Sequence, residues 1–188
     1  LVLGSLRVDT PVVLAPMAGI TNAAYRRLCA EQGAGLYVCE MITSRGVVER
    51  DEKTLSMLAF ADVEDVRSVQ LYGVDPRHVG EAVRILAEEY GVAHVDLNFG
   101  CPVPKVTRKG GGAVLPYKRT LLGRILREQG DTAGCLEHCS VAATMLQAMG
   151  ASRQAASAWR ELGDLYRDLG RSEDALSAYD RALLAVRV

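Results

Sequence analysis

Four short apolar runs, each followed by a helical segment, constrain this chain more than any other feature. Val12 to Ala15, Gly35 to Glu40, Val66 to Leu71 and Val92 to Leu97 have the length and residue types of buried strands. Asn22 to Gln32 reads as a helix, Thr43 onward as a polar helical stretch, and another helix starts after Pro76, a residue suited to a first helical turn. A further helix is expected from about Tyr117, past the Gly110-Gly111-Gly112 loop. Four βα units in sequence predict a parallel sheet with right-handed crossovers. With 49% hydrophobic residues the chain can build a packed core.

From Gln129 the strand signal stops and an Ala-rich helical pattern takes over. Trp159, Leu162, Gly163 and Tyr166, then Gly170, Ala175, Tyr179 and Ala182, follow the spacing of a tetratricopeptide helix pair, large residues facing small ones. Arg187 stands where that repeat usually has proline. A preceding helix, Thr132 to Ala148, has Cys135, Cys139 and Ala142 at equivalent places. The domains expected are therefore 1–127, alternating strands and helices, and 128–188, a tetratricopeptide-like helical segment that could engage a protein partner.

A net charge of −1 gives no global pull toward polyanions, but charge is uneven along the chain. Between Leu97 and Arg127 no acidic residue occurs, while Lys105, Arg108, Lys109, Lys118, Arg119, Arg124 and Arg127 all do. Such a segment attracts phosphate. No stretch nears the roughly 20 apolar residues of a membrane span, and no basic segment with an apolar signal core opens the sequence. Five cysteines in irregular spacing argue against a disulfide framework. These features predict a cytoplasmic protein. Cys135 and Cys139 flank His138, yet a structural zinc site needs four ligands, so no metal is expected and both thiols are read as helix-core residues.

Asp96-Leu97-Asn98-Phe99-Gly100-Cys101-Pro102 ends the fourth strand. Gly100 and Pro102 stop it and leave Cys101 on a loop past a strand's carboxyl end, where parallel α/β folds keep their chemistry. Cys101 is the leading candidate for a reactive residue. Read alone such a cysteine is more often an inert small residue than a catalyst, and amides such as Gln70 and Asn98 at strand ends often satisfy loose backbone groups. His78 and His94 show no evident partner and are read as structural.

Leu14 to Asn22, Glu40-Met41, Val69 to Gly73, Asp96 to Pro102 and Gly111-Gly112-Ala113 together resemble the tRNA-dihydrouridine synthases, in the same order. The resemblance covers about residues 1–127. It implies a flavin-containing (β/α)8 TIM-type barrel, here about four βα units of it, in which NADPH reduces FMN and a uridine of tRNA is then reduced to dihydrouridine. It further implies that Pro16 and Met17 contact the flavin, that Gln70 and Asn98 hydrogen-bond its ring or the substrate, and that Cys101 is the acid. A cysteine thiol in water titrates near about 8.5 and so is mostly protonated at neutral pH, able to donate. A uridine must leave its stack to be reached, and a basic rim of Lys105, Arg108 and Lys109 would hold the RNA.

The family's later motifs, a lysine on the fifth strand, a histidine after the sixth and the Gly-rich grip on the FMN phosphate, find no counterpart in residues 128–188. The expectation is a partial barrel whose first and fourth strands have open edges. The helical segment could cover them, or two chains could pair as a homodimer. The alternative function is a non-catalytic interaction protein carrying a remnant half barrel.

Overall fold

The computed structural model describes residues 1–186 and divides into two compact units, Leu1–Val114 and Leu115–Val188. Arg187 lies outside the described residues.

The first unit opens with a two-stranded antiparallel hairpin, β1 (Val2–Leu3) and β2 (Leu6–Arg7), turned at Gly4, whose φ of 59° suits a residue without Cβ. The sequence reading missed this hairpin because two-residue strands carry no periodic signal. A parallel sheet follows, in the order β3 (Val13–Leu14), β4 (Leu36–Thr43), β5 (Ser68–Tyr72), β6 (His94–Leu97). Chain-order neighbours in parallel are what consecutive right-handed βαβ units produce. The helices between them are α1 (Ala23–Glu31), α2 (Ser44–Val48), α3 (Glu52–Ser56) and α4 (Pro76–Tyr90). Asn22 caps α1 by accepting the Tyr25 N–H, and Asp75 caps α4 by accepting those of Arg77 and His78.

The core gathers Cys39, Ile42, Val69 and Leu71 from β4 and β5 against Ala82, Ile85 and Leu86 from α4. The two central strands are largely buried, as expected. β6 is different: all four of its residues are only partly buried, because it lies at one side of the four-stranded order. The reading of Val92–Leu97 as a strand covered on both faces is corrected accordingly. His94 and His78 also have partners after all. His94 Nδ1 lies 2.7 Å from Ser68 Oγ, and His78 Nδ1 is 3.7 Å from Asp75 Oδ2.

One buried ion pair braces this unit. Arg26, on α1, gives Nε to Glu64 Oε2 at 2.7 Å and Nη2 to Glu64 Oε1 at 3.1 Å, with both side chains at most 1% exposed. Nη1 and Nη2 also donate to the carbonyls of Thr21 and Ala59, and Glu64 also accepts the Ala61 N–H. Adding hydrogen bonds to both partners this way is what makes a buried charge pair tolerable.

After α5 (Pro104–Thr107) and a 3₁₀ turn (Gly112–Tyr117), the second unit consists of α6 (Arg119–Glu128), α7 (Thr132–Ala148), α8 (Ser152–Asp168) and α9 (Ser172–Ala185). Within it α7 packs on α6, α8 on α7 and α9 on α8. The division of the chain therefore puts α6 with the helical unit, ahead of the boundary read from composition. Cys135, Cys139, Ala143, Ala158, Trp159, Leu162, Leu165 and Ala178 form its core. Small residues set the spacing: a Cβ on Gly163 would lie 2.5 Å from the Tyr179 ring, and one on Gly123 2.5 Å from Cys139 Sγ. Arg124 and Arg127 on α6 bind Glu161 and Asp168 on α8.

Candidate functional site

The carboxyl ends of β4, β5 and β6 and the turn after β3 enclose a pocket of about 360 Å³, lined by Pro16, Ala18, Met41, Gln70, Asn98, Gly100 and Cys101. Four residues singled out in the sequence, Pro16, Gln70, Asn98 and Cys101, thus meet at one place. Met17 is not among the lining residues. Its backbone is spent within its own turn, the N–H on Thr21 Oγ1 at 3.0 Å and the carbonyl on the N–H groups of Ile20 and Thr21.

The polar wall is one chain of hydrogen bonds. Parallel register places Gln70 beside Asp96, so both side chains leave the same face of the sheet. Gln70 Nε2 donates to Asp96 Oδ2 at 2.5 Å, Asn98 Nδ2 donates to Gln70 Oε1 at 2.8 Å, and the Cys101 N–H donates to Asn98 Oδ1 at 2.9 Å. An amide nitrogen carries two hydrogens and these bonds use one of each. Gln70 keeps a free N–H for a ligand, while the second donor of Asn98 has only the Met41 sulfur at 3.5 Å.

Asp96 and Met41 are site residues that sequence reasoning left without a role. A carboxylate inside an otherwise apolar strand, two residues before Asn98 and therefore on the same face, is the signal that could have found Asp96.

The turn bearing Pro16 is held from both sides. Glu40 Oε2 accepts the Gly19 N–H at 2.7 Å, and Arg26 holds the Thr21 carbonyl at 2.7 Å while Thr21 Oγ1 grips Met17. Cys101 sits in an equally closed loop: its carbonyl accepts the Ala113 N–H at 3.0 Å, and a Cβ on Gly112 would come within 2.4 Å of that oxygen. Only the backbone of glycine fits there.

The thiols divide by environment. Cys101 and Cys29 are half-buried, whereas Cys39, Cys135 and Cys139 are buried. Burial pushes the Cys39 thiol up to about 11, keeping it protonated and unreactive. Cys139 is pushed up further, first by its hydrogen bond to Cys135 and then by burial. No group of three or more metal-ligating side chains occurs among the described residues.

A flavin ring is flat and amphipathic, with a polar edge that both donates and accepts. The pocket's lining combines apolar Pro16, Ala18 and Met41 with the uncharged Gln70 and Asn98 amides, the chemistry that would suit such a body without a charge to desolvate. These residues fit the ring portion of the group.

The three basic residues are all exposed; Lys105 and Lys109 line a second pocket, and Arg108 lies outside it. No helix among the described residues is long and apolar enough to cross a membrane.

The dihydrouridine synthase family model matches residues 13–134. A probable tRNA-dihydrouridine synthase of Mycobacterium tuberculosis (strain ATCC 25618 / H37Rv) is 52% identical over 131 residues, covering 66% of this chain and 34% of the relative. One from Mycobacterium leprae is 46% identical over 140 residues, with 61% and 36% covered. tRNA-dihydrouridine synthase B of Escherichia coli K12 is 40% identical over 116 residues, again 61% and 36%. The chain spans about a third of the length of the curated relatives it matches.

Proposed function

The chain belongs to the dihydrouridine synthase family, and we propose that its first unit carries the substrate-facing part of an FMN-dependent, NADPH-linked oxidoreductase that reduces uridine to dihydrouridine in tRNA. The observation that carries this reading is the convergence of Pro16, Gln70, Asn98 and Cys101 on one pocket at the carboxyl ends of parallel strands.

FMN, when bound and reduced by NADPH, supplies a hydride to C6 of the uracil ring. The protein's own share is orientation and a proton. Cys101 Sγ–H gives its proton to C5, the other carbon of the same double bond, so that one hydride and one proton convert it to a single bond. Because Cys101 is half-buried, the thiolate left behind can regain a proton from solvent. Asn98 fixes the Cys101 backbone through its N–H, and Gln70, itself held by Asp96, keeps the Asn98 amide from turning. Pro16 and Ala18 form an apolar wall on a turn braced by Glu40 and Arg26. Lys105, Arg108 and Lys109, all exposed, form the basic rim for tRNA.

The test is to incubate the chain with a tRNA transcript, FMN and NADPH and to quantify dihydrouridine by mass spectrometry of the digested RNA. Product that disappears in Cys101→Ala supports the reading; equal product in the variant removes the assigned proton donor.

A second reading concerns the helical unit, a tetratricopeptide-like segment that binds a protein partner. It is favoured by an apolar groove of about 1000 Å³ among α6, α7 and α8, where Met145 and Met149 stand 48% and 76% exposed.

A further inference from the structure

The helical unit carries two surfaces of opposite charge, and each lacks a partner. One is the groove among α6, α7 and α8. Leu121, Met145, Leu146 and Met149 are apolar members of its lining. Glu161 is the single carboxylate there, and Arg124 already pairs with it. Lys118 and Arg119 also line the groove and make no ion pair among the described residues, so the groove stays positive.

The other surface is the outward side of α9. That helix buries Ala175, Ala178 and Ala185 on the side toward α8. The opposite side leaves Leu176, Leu183 and Leu184 at 65%, 57% and 57% exposed. Helical spacing puts Glu173 and Asp180 on that same exposed side, and neither makes an ion pair among the described residues. A stripe of leucines with two uncompensated carboxylates has the anchor spacing of a helix that lays its apolar face in a groove.

The two surfaces complement one another in both respects. Leucines would meet leucines and methionines, and two carboxylates would meet two cations. The methionines decide against a polyanion as occupant, since flexible thioethers repack around apolar side chains and offer nothing to phosphate. No residue of α9 lines the groove of its own chain. The helix is held on α8 by its alanine side, which leaves its leucine side to another molecule.

We propose that α9 of one copy docks in the α6, α7 and α8 groove of a second copy. This rests on the reading of the helical unit as a binding segment and names its partner. Because two different surfaces meet, every copy offers both a helix and a groove, and the contact propagates into open chains or a ring.

The test is sedimentation of the full chain over a wide range of concentration, in which the mass should grow past that of a dimer. Leu183→Glu on the helix and Met149→Glu in the groove alter exposed side chains, and each should weaken association about tenfold. Mixed together they should regain it, but only as a pair, because one variant keeps an intact groove and the other an intact α9. Where either fails to fold, Asp180→Lys and Lys118→Glu take their places. A parent chain that stays monomeric, or a mixture no stronger than its components, would overturn the proposal. The methyl resonances of Met145 and Met149 tell that failure from failure of the groove. If they shift with an added synthetic peptide of the α9 sequence while the chain stays monomeric, the second copy is overturned and a foreign acidic helix takes its place. If they respond to neither, the binding reading of the helical unit falls as well.

Discussion

Asn98 Oδ1 accepts the backbone N–H of Cys101 at 2.9 Å, so the amide that ends the fourth strand also fixes the loop presenting the thiol. The pairing closes a four-residue turn and orients Cys101 without touching its sulfur. Asn98→Asp should therefore be worse than Asn98→Ala. The new carboxylate oxygen would face Gln70 Oε1 where an N–H stood, adding repulsion to the loss of a partly buried hydrogen bond, itself about 1–3 kcal/mol. Thermal melts of both variants check this, with the lower midpoint expected for Asn98→Asp.

Removing Arg26 should cost about 3–5 kcal/mol, because Glu64 would be left buried and unpaired. The loss should also loosen the Thr21 and Met17 turn. Denaturant titration of Arg26→Ala gives the first quantity. Hydrogen exchange at the Met17 and Thr21 amides gives the second, and both should exchange faster than in the parent chain.

Trp159 is 4% exposed, donates to Gln147 Oε1 at 2.9 Å and lies under the Arg181 guanidinium at 4.7 Å. Trp159→Ala should destabilise the helical unit by about 3–5 kcal/mol. An unchanged melting midpoint would contradict the packing described for α8.

His94 carries a pH prediction. Burial holds its imidazole below the ordinary histidine range, with Asp96 opposing the effect. The unfolded chain then binds more protons than the folded one near and below about pH 6.5, so stability is present above that value and lost as pH falls through it. The melting midpoint should drop between pH 7.5 and 5.5, and His94→Gln should drop less over the same interval.

Thiol labelling separates the cysteines. Iodoacetamide at pH 8 should modify Cys101 and Cys29 first and leave Cys39, Cys135 and Cys139 until the chain unfolds. Peptide mapping against time reads the order.

Much of this was legible in the residues. The strand-helix alternation gave the parallel order, the Asn22 and Pro76 signals gave helix starts, and Gly100 with Pro102 marked the loop bearing Cys101. What stayed hidden depends on register between strands. Ser68 meets His94 and Gln70 meets Asp96, each 26 residues apart, because β5 and β6 align them in parallel; no local pattern encodes that alignment. The Arg26–Glu64 pair, 38 residues apart, is hidden for the same reason. Met17 shows the opposite limit: its motif was conspicuous, but its backbone turns inward onto Thr21 while its neighbours Pro16 and Ala18 line the pocket.

The most direct measurement is the visible absorption and fluorescence of the chain titrated with FMN, done in parallel on Cys101→Ala and Gln70→Ala. The account predicts saturable quenching of flavin fluorescence near one equivalent, retained in Cys101→Ala and weakened about tenfold in Gln70→Ala, which lacks the free side-chain N–H proposed to bond the ring edge. No uptake by the parent chain, or equal uptake by Gln70→Ala, would contradict the assignment of this pocket to the flavin.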